Sequence, residues 1–282
     1  MINEALLEMH FHKSLIDLFA ETFGVNFLKI LKPSQQQECY VGFDQGWVNT
    51  SEKPQSFLNS LGQQLTELDT EDKKIANKTE TKTEKFYLGY FFQFKIVDTI
   101  TRRSKHMPEG KDYTVPYYRT ELYLSPNPTT QISQHETLLR LCSIPNAMVY
   151  YACGMLFDIS ELYENPVDLG KLRFIDVATA PTDWTTNSRH FITFQTRNDA
   201  NPFWCSKPQI TKSDKINDLL TNKIKLLSAE EMRDLILEIR KVITANISKK
   251  ALSENEAPIE TLFPSSFTII EFERKIEDDS PI

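Results

Sequence analysis

The sequence predicts an α/β protein with a mixed β-sheet flanked by helices, and three observations carry that expectation. A helical apolar pattern opens the chain, an alternating aromatic run follows at 86–97, and a capped helix beginning near Ser133 stands among strand-like segments. The length of 282 residues suits one large domain or two modest ones, and 40% hydrophobic content supports a full core.

Residues 4–23 read as an amphipathic helix. Leu7, Phe11, Leu15, Leu18 and Phe19 recur at three- and four-residue spacing, Glu4 and Glu8 share one side, and Gly24 provides a stop. A polar connection, Pro33 to Gln37, leads into Glu38-Cys-Tyr-Val-Gly-Phe-Asp44, whose Tyr, Val and Phe content reads as a strand ending on an acid. The stretch 51–85 turns to Gln, Glu, Lys and Thr and is read as a surface insertion. A nucleic-acid-binding tongue is the alternative there, weakened by the acids that balance its lysines.

Phe86–Val97 is expected to form a single strand. Its alternation places Phe86, Leu88, Tyr90, Phe92, Phe94 and Ile96 on one face and Tyr87, Gly89, Phe91, Gln93, Lys95 and Val97 on the other. Gln93 and Lys95 thus project together from a strand that should lie well inside the fold. A buried lysine is costly unless something anionic meets it. A basic loop follows, with Arg102, Arg103, Lys105, His106 and Lys111, and then a strand over Arg119–Leu124.

Ser133 and Glu136 form a capping box for a short helix, and apolar strands are expected at Ala147–Ala152, Leu172–Val177 and His190–Gln195. A second capping box, Ser228 to Glu231, opens a helix with Met232, Leu235, Ile236, Ile239, Val242 and Ile243 on one stripe. The final ERKIEDDSPI is expected to fray. The composition break at Pro126 to Ser133 divides the chain into a core over 1–125 and an α/β extension over 126–282 ending in that helix, continuous with the core or separate from it.

Composition also excludes functions. Eight glycines fall in neither GxGxxG nor GxxxxGK[ST] spacing, which removes support for a dinucleotide site or a P-loop. A net charge of −7 argues against a non-specific nucleic-acid coat, although a local basic patch is compatible with it. Cys39, Cys142, Cys153 and Cys205 form no CxxC pair and read as scattered reduced thiols, the pattern of a cytoplasmic protein. No export or membrane segment is evident, so no membrane partner is expected. His10 and His12 do not share a helical face, and Arg189-His190 and Trp204-Cys205-Ser206 read as structural. No GxSxG elbow occurs.

The chemistry-bearing set is therefore an acid at a strand end, Asp44, and the buried polar pair Gln93 and Lys95. Metal-dependent phosphodiester cleavage calls for such a set. A carboxylate and a phosphate at about 4 Å repel by roughly 4 kcal/mol at an effective dielectric near 20, so a cation must stand between them. Mg²⁺ takes oxygen ligands and acidifies a bound water, while a neighbouring lysine orients that water or neutralises developing charge.

Gly42-Phe43-Asp44 followed by Phe91-Phe92-Gln93-Phe94-Lys95 resembles the metal-binding core of the PD-(D/E)XK nuclease superfamily, in the QxK variant of Mrr-like restriction endonucleases. The resemblance spans roughly residues 4–97. It implies a restriction-endonuclease-like core in which a helix, a strand hairpin and a third strand follow one another. It also implies Asp44 as a metal ligand, Gln93 in the place of the usual glutamate, and Lys95 as the catalytic lysine. The Glu38 to Asp44 run is similar to one in bacterial nuclease-like proteins, several of them linked to anti-phage defence. The implied activity is Mg²⁺- or Mn²⁺-dependent cleavage of DNA, with a partner protein or a homo-oligomer as a further expectation. The alternative is a nuclease scaffold that does no chemistry and serves interaction or nucleic-acid sensing.

Asp44 and Gln93 lie 49 residues apart, a separation that the polar insertion would explain. A second acid would come from Glu38 or Glu8. An extended segment would put Glu38 about 20 Å from Asp44, so Glu38 requires a bend, which Gly42 permits. Glu38 is preferred on the run's resemblance. Plainer readings stand beside these: Asp44 capping a turn, Lys95 reaching the surface or pairing with Glu38, and Glu8 and Glu38 as solvated acids. Arg102, Arg103 and Lys105 either grip a phosphate backbone or form a solvated turn.

Overall fold

A computed structural model of the chain describes residues 2, 4–23, 29–31, 46–48, 83–103, 114–126, 132–163, 167–184, 189–205, 208–222, 225, 227–246 and 270–275. The first element is helix α1, Glu4–Phe23, with the bounds its apolar spacing predicts. Leu7, Phe11 and Leu15 are fully buried along one stripe, while Met9 and Lys13 face out. Strands β1 (Lys29–Leu31) and β2 (Gly46–Val48) pair antiparallel, Ile30 opposite Trp47. The strand expected over Glu38–Asp44 lies outside the described residues.

The expected single strand over Phe86–Val97 is two strands. β3 (Thr83–Leu88) and β4 (Tyr90–Ile96) are separated by Gly89 and enter different ladders. The interruption has a packing cause. A Cβ at Gly89 would fall 2.6 Å from the Asn146 carbonyl oxygen and 2.8 Å from Leu235, so only glycine fits under that loop. The Gly89 carbonyl accepts from Met148 N at 2.8 Å, the start of the pairing that β4 continues. β3 also begins within the stretch read as an insertion, and it pairs with β13 (Ile270–Lys275) in an antiparallel ladder. Glu273, Arg274 and Lys275, expected to fray, therefore belong to a strand; residues 276–282 lie outside the description.

Two larger sheets make up the body. β5 (Asp98–Ile100), β6 (Tyr117–Leu122), β9 (His190–Phe194), β10 (Phe203–Cys205) and β11 (Gln209–Ile210) form an antiparallel sheet in the order β11-β10-β9-β6-β5. β4, β7 (Met148–Gly154), β8 (Leu172–Asp176) and β12 (Ser213–Asp214) form a mixed sheet in the order β12-β8-β7-β4. Both sheets draw strands from either side of residue 125. β4 and β7 are parallel, and the chain between them carries helix α2, Gln134–Cys142. Helices α3 (Ile216–Asn222) and α4 (Ala229–Asn246) follow. The expected capping box at Ser228 is complete, with two hydrogen bonds exchanged with Glu231, whereas at Ser133 only the cap half forms: Ser133 Oγ accepts from Glu136 N at 3.1 Å and the Glu136 carboxylate turns to Arg140 instead.

The mixed sheet separates two apolar layers. Tyr90, Phe92 and Phe94 of β4, with Tyr150, Ala152, Leu172 and Phe174, pack under the α1 stripe and Leu219 of α3. On the opposite face Phe91, Val149, Tyr151 and Ile175 meet Leu138 and Leu141 of α2, Leu235 and Ile239 of α4, and Ile192, Phe194 and Trp204 of the antiparallel sheet. The face assignment read from the alternation of β4 is the one the packing shows. No helix among the described residues is long and apolar enough to cross a membrane.

Candidate functional site

Gln93 and Lys95 stand near the carboxyl end of β4, beside the equivalent end of its parallel neighbour β7. Register pairs Gln93 with Tyr151 and Lys95 with Cys153, and Cys153 in turn with Arg173 of β8. These side chains share one sheet face, the face that α2 covers. Because α2 carries the chain back from one parallel strand toward the start of the next, its N-terminal turn lies over the Gln93 end of β4. Gln134, the first residue of α2, donates from Nε2 to Gln93 Oε1 at 2.6 Å, and Gln93 Nε2 donates to the Phe94 carbonyl at 3.3 Å.

The lysine has an anionic partner, and it comes from α1. Lys95 Nζ lies 3.2 Å from Glu4 Oε1; the lysine side chain is 4% exposed and the glutamate side chain 43%. α1 reaches this position because Gly154, at the end of β7, has no side chain. A Cβ there would fall 2.5 Å from Leu7 Cδ1, so the glycine lets the helix sit directly on the strand end and puts Glu4 beside Lys95. Glu8, one helical turn along, is 4% exposed, which corrects the reading of it as a solvated acid. Glu38, the partner that the plain reading of Lys95 named, lies outside the described residues.

The other polar groups of this face are quieter. Burial pushes the Cys153 thiol up to about 12, against the pull of the Lys95 ammonium, so the sulfur stays protonated. Arg173 donates to the carbonyls of Gly170 and Leu172 and to Asn198, which fixes it as a brace for the neighbouring loops.

Of the sequence-predicted site residues, Gln93 and Lys95 come together as the alternation implies. Arg102 and Arg103 follow β5 and are exposed. Asp44, Glu38 and Lys105 lie outside the described residues. Among the described residues no three His, Cys, Asp or Glu side chains form a group that could hold a metal ion. Sequence reasoning missed Glu4 and Gln134. Glu4 carried a usable signal, since it precedes Glu8 by one turn on the side next to the apolar stripe. Gln134 carried none beyond its place in the first turn of a capped helix.

No protein family, no curated protein and no solved structure matches this chain. The functional reading therefore rests on the geometry and on the residues that carry the resemblance.

Proposed function

We propose that the chain is a metal-dependent endonuclease-like protein of restriction type, acting on DNA phosphodiester bonds in anti-phage defence, in the cytoplasm. The observation that carries this reading is a buried ammonium, Lys95, held by the partly exposed Glu4 carboxylate two residues from the buried Gln93, at the carboxyl ends of two parallel strands. Ligand sites of open α/β sheets favour such ends. The order of the described elements supports it further: a helix, an antiparallel strand pair and then, after β3, the QxK strand, with Asp44 two residues before β2, which lies against β4.

In this reading Lys95 neutralises charge developing on the phosphate or orients the attacking water, and Gln93 fixes the geometry beside it. Asp44 and Glu38 would hold Mg²⁺ or Mn²⁺, with Glu4 as an acid that the fold adds beside Lys95. The ion would polarise the phosphoryl oxygen and acidify a bound water. Arg102, Arg103 and Lys105 would contact the DNA backbone, and a partner protein or second copy of the chain would complete the assembly. The test is plasmid cleavage with Mg²⁺, with Mn²⁺ and with chelator, using the native chain, Asp44→Asn and Lys95→Ala. Metal-dependent cutting lost in both variants supports the proposal, and metal-independent cutting contradicts it.

A second reading has its own observation. The Gln93 side-chain oxygen Oε1 already accepts from Gln134 and Lys95 is already paired with Glu4, an arrangement that suits a nuclease scaffold retained for interaction or nucleic-acid sensing. DNA binding without cleavage under every metal condition would favour it.

A further inference from the structure

A second polar cluster lies between α2 and the antiparallel sheet, apart from Lys95. His135, the residue after Gln134, is 4% exposed, and its Nδ1 lies 2.7 Å from the Tyr151 hydroxyl. Its ring centroid stands 5.2 Å from that of Trp184, which stacks at 4.3 Å on His190 and meets Trp204 edge-on at 5.6 Å. His135 Nε2 and Trp184 Nε1 are both buried, and neither has a hydrogen-bond partner among the described residues. Buried nitrogens of this kind are rare in folded proteins and call for an occupant.

The protons can be placed. Burial raises the Tyr151 hydroxyl well above its ordinary range, so it keeps its proton. Its hydrogen bond runs to His135 Nδ1, and donating there satisfies it; the reverse assignment would leave the phenolic proton buried and unused. The proton of the neutral imidazole then sits on Nε2. Trp184 Nε1 is a donor in any case. The cluster therefore presents two N–H donors from adjacent rings. A water oxygen accepts from both donors without bringing a charge into this buried cluster.

We infer that a single trapped water molecule bridges His135 Nε2–H and Trp184 Nε1–H, accepting from both with its two lone pairs. It ties the first turn of α2, and with it Gln134, to the segment entering β9. A buried water at such a polar site is held by two to four partners.

The test is nitrogen-resolved NMR of the full ¹⁵N-labelled chain near neutral pH. The inference predicts the Nε2–H tautomer for His135 and cross-relaxation from both N–H protons to one long-lived water. Trp184→Phe should abolish the His135 water signal. The Nδ1–H tautomer, or N–H protons that see only protein or organic protons, would overturn it. If Trp184→Phe fails to fold, the native chain's tautomer and water signals decide alone.

Discussion

The Lys95 ammonium and the Glu4 carboxylate meet at 3.2 Å across the junction of β4 and α1, one buried and one half-exposed. This contact is tertiary: 91 residues separate the partners, and only the docking of α1 on the strand ends brings them together. Removing Glu4 should leave a buried cation without its partner. Glu4→Gln is expected to destabilise the fold by about 1–3 kcal/mol, below the usual cost of breaking a fully buried pair because the glutamate is partly solvated. Adding Lys95→Met should recover much of that loss. Urea denaturation of the two single variants and the double variant measures the coupling.

The approach of α1 to β7 gives a second prediction. Gly154→Ala should cost about 1–3 kcal/mol through overpacking against Leu7, and Leu7→Ala in the same chain should cost less than it does alone. Thermal unfolding of the four chains reads this directly. Additive losses would mean that the helix does not rest on the glycine.

Helix α2 should depend on its cap. Ser133 is buried and accepts from Glu136 N, so Ser133→Ala is expected to cost about 1 kcal/mol in chemical denaturation. Ser133→Asp should retain most of the stability, because an acid serves the same N–H and suits the helix N-terminus.

His135 sets a pH dependence. Burial, reinforced by His190, holds the imidazole down to about 4 from its ordinary 6.5. Between those values the unfolded chain binds more protons than the folded one. The contribution is therefore full above pH 6.5 and is lost as pH falls toward about 4, by up to about 3 kcal/mol. Urea midpoints measured from pH 7 to pH 4.5 should fall in the native chain and change less in His135→Phe.

These predictions also mark how far the sequence is readable. The bounds of α1, the caps of α2 and α4 and the burial of Gln93 and Lys95 follow from local rules: three- and four-residue spacing, a Ser–Glu separation, and alternation along a strand. What stayed hidden depends on distant segments. The break at Gly89 is invisible in an uninterrupted aromatic run because its cause is the Asn146 loop and Leu235 of α4. Lys95 announced the need for an anion, yet its choice of Glu4 depends on Gly154 admitting the helix. The polar pair of His135 and Tyr151 is separated by 16 residues and joined only when α2 packs on β7.

The role of Lys95 is read from the rate at which supercoiled plasmid is cut in Mg²⁺ by the native chain and by Lys95→Met, with both confirmed folded by circular dichroism. Metal-dependent cutting should fall at least about a hundredfold in the variant, the low end for loss of a catalytic group. Equal rates in the two folded proteins would contradict it.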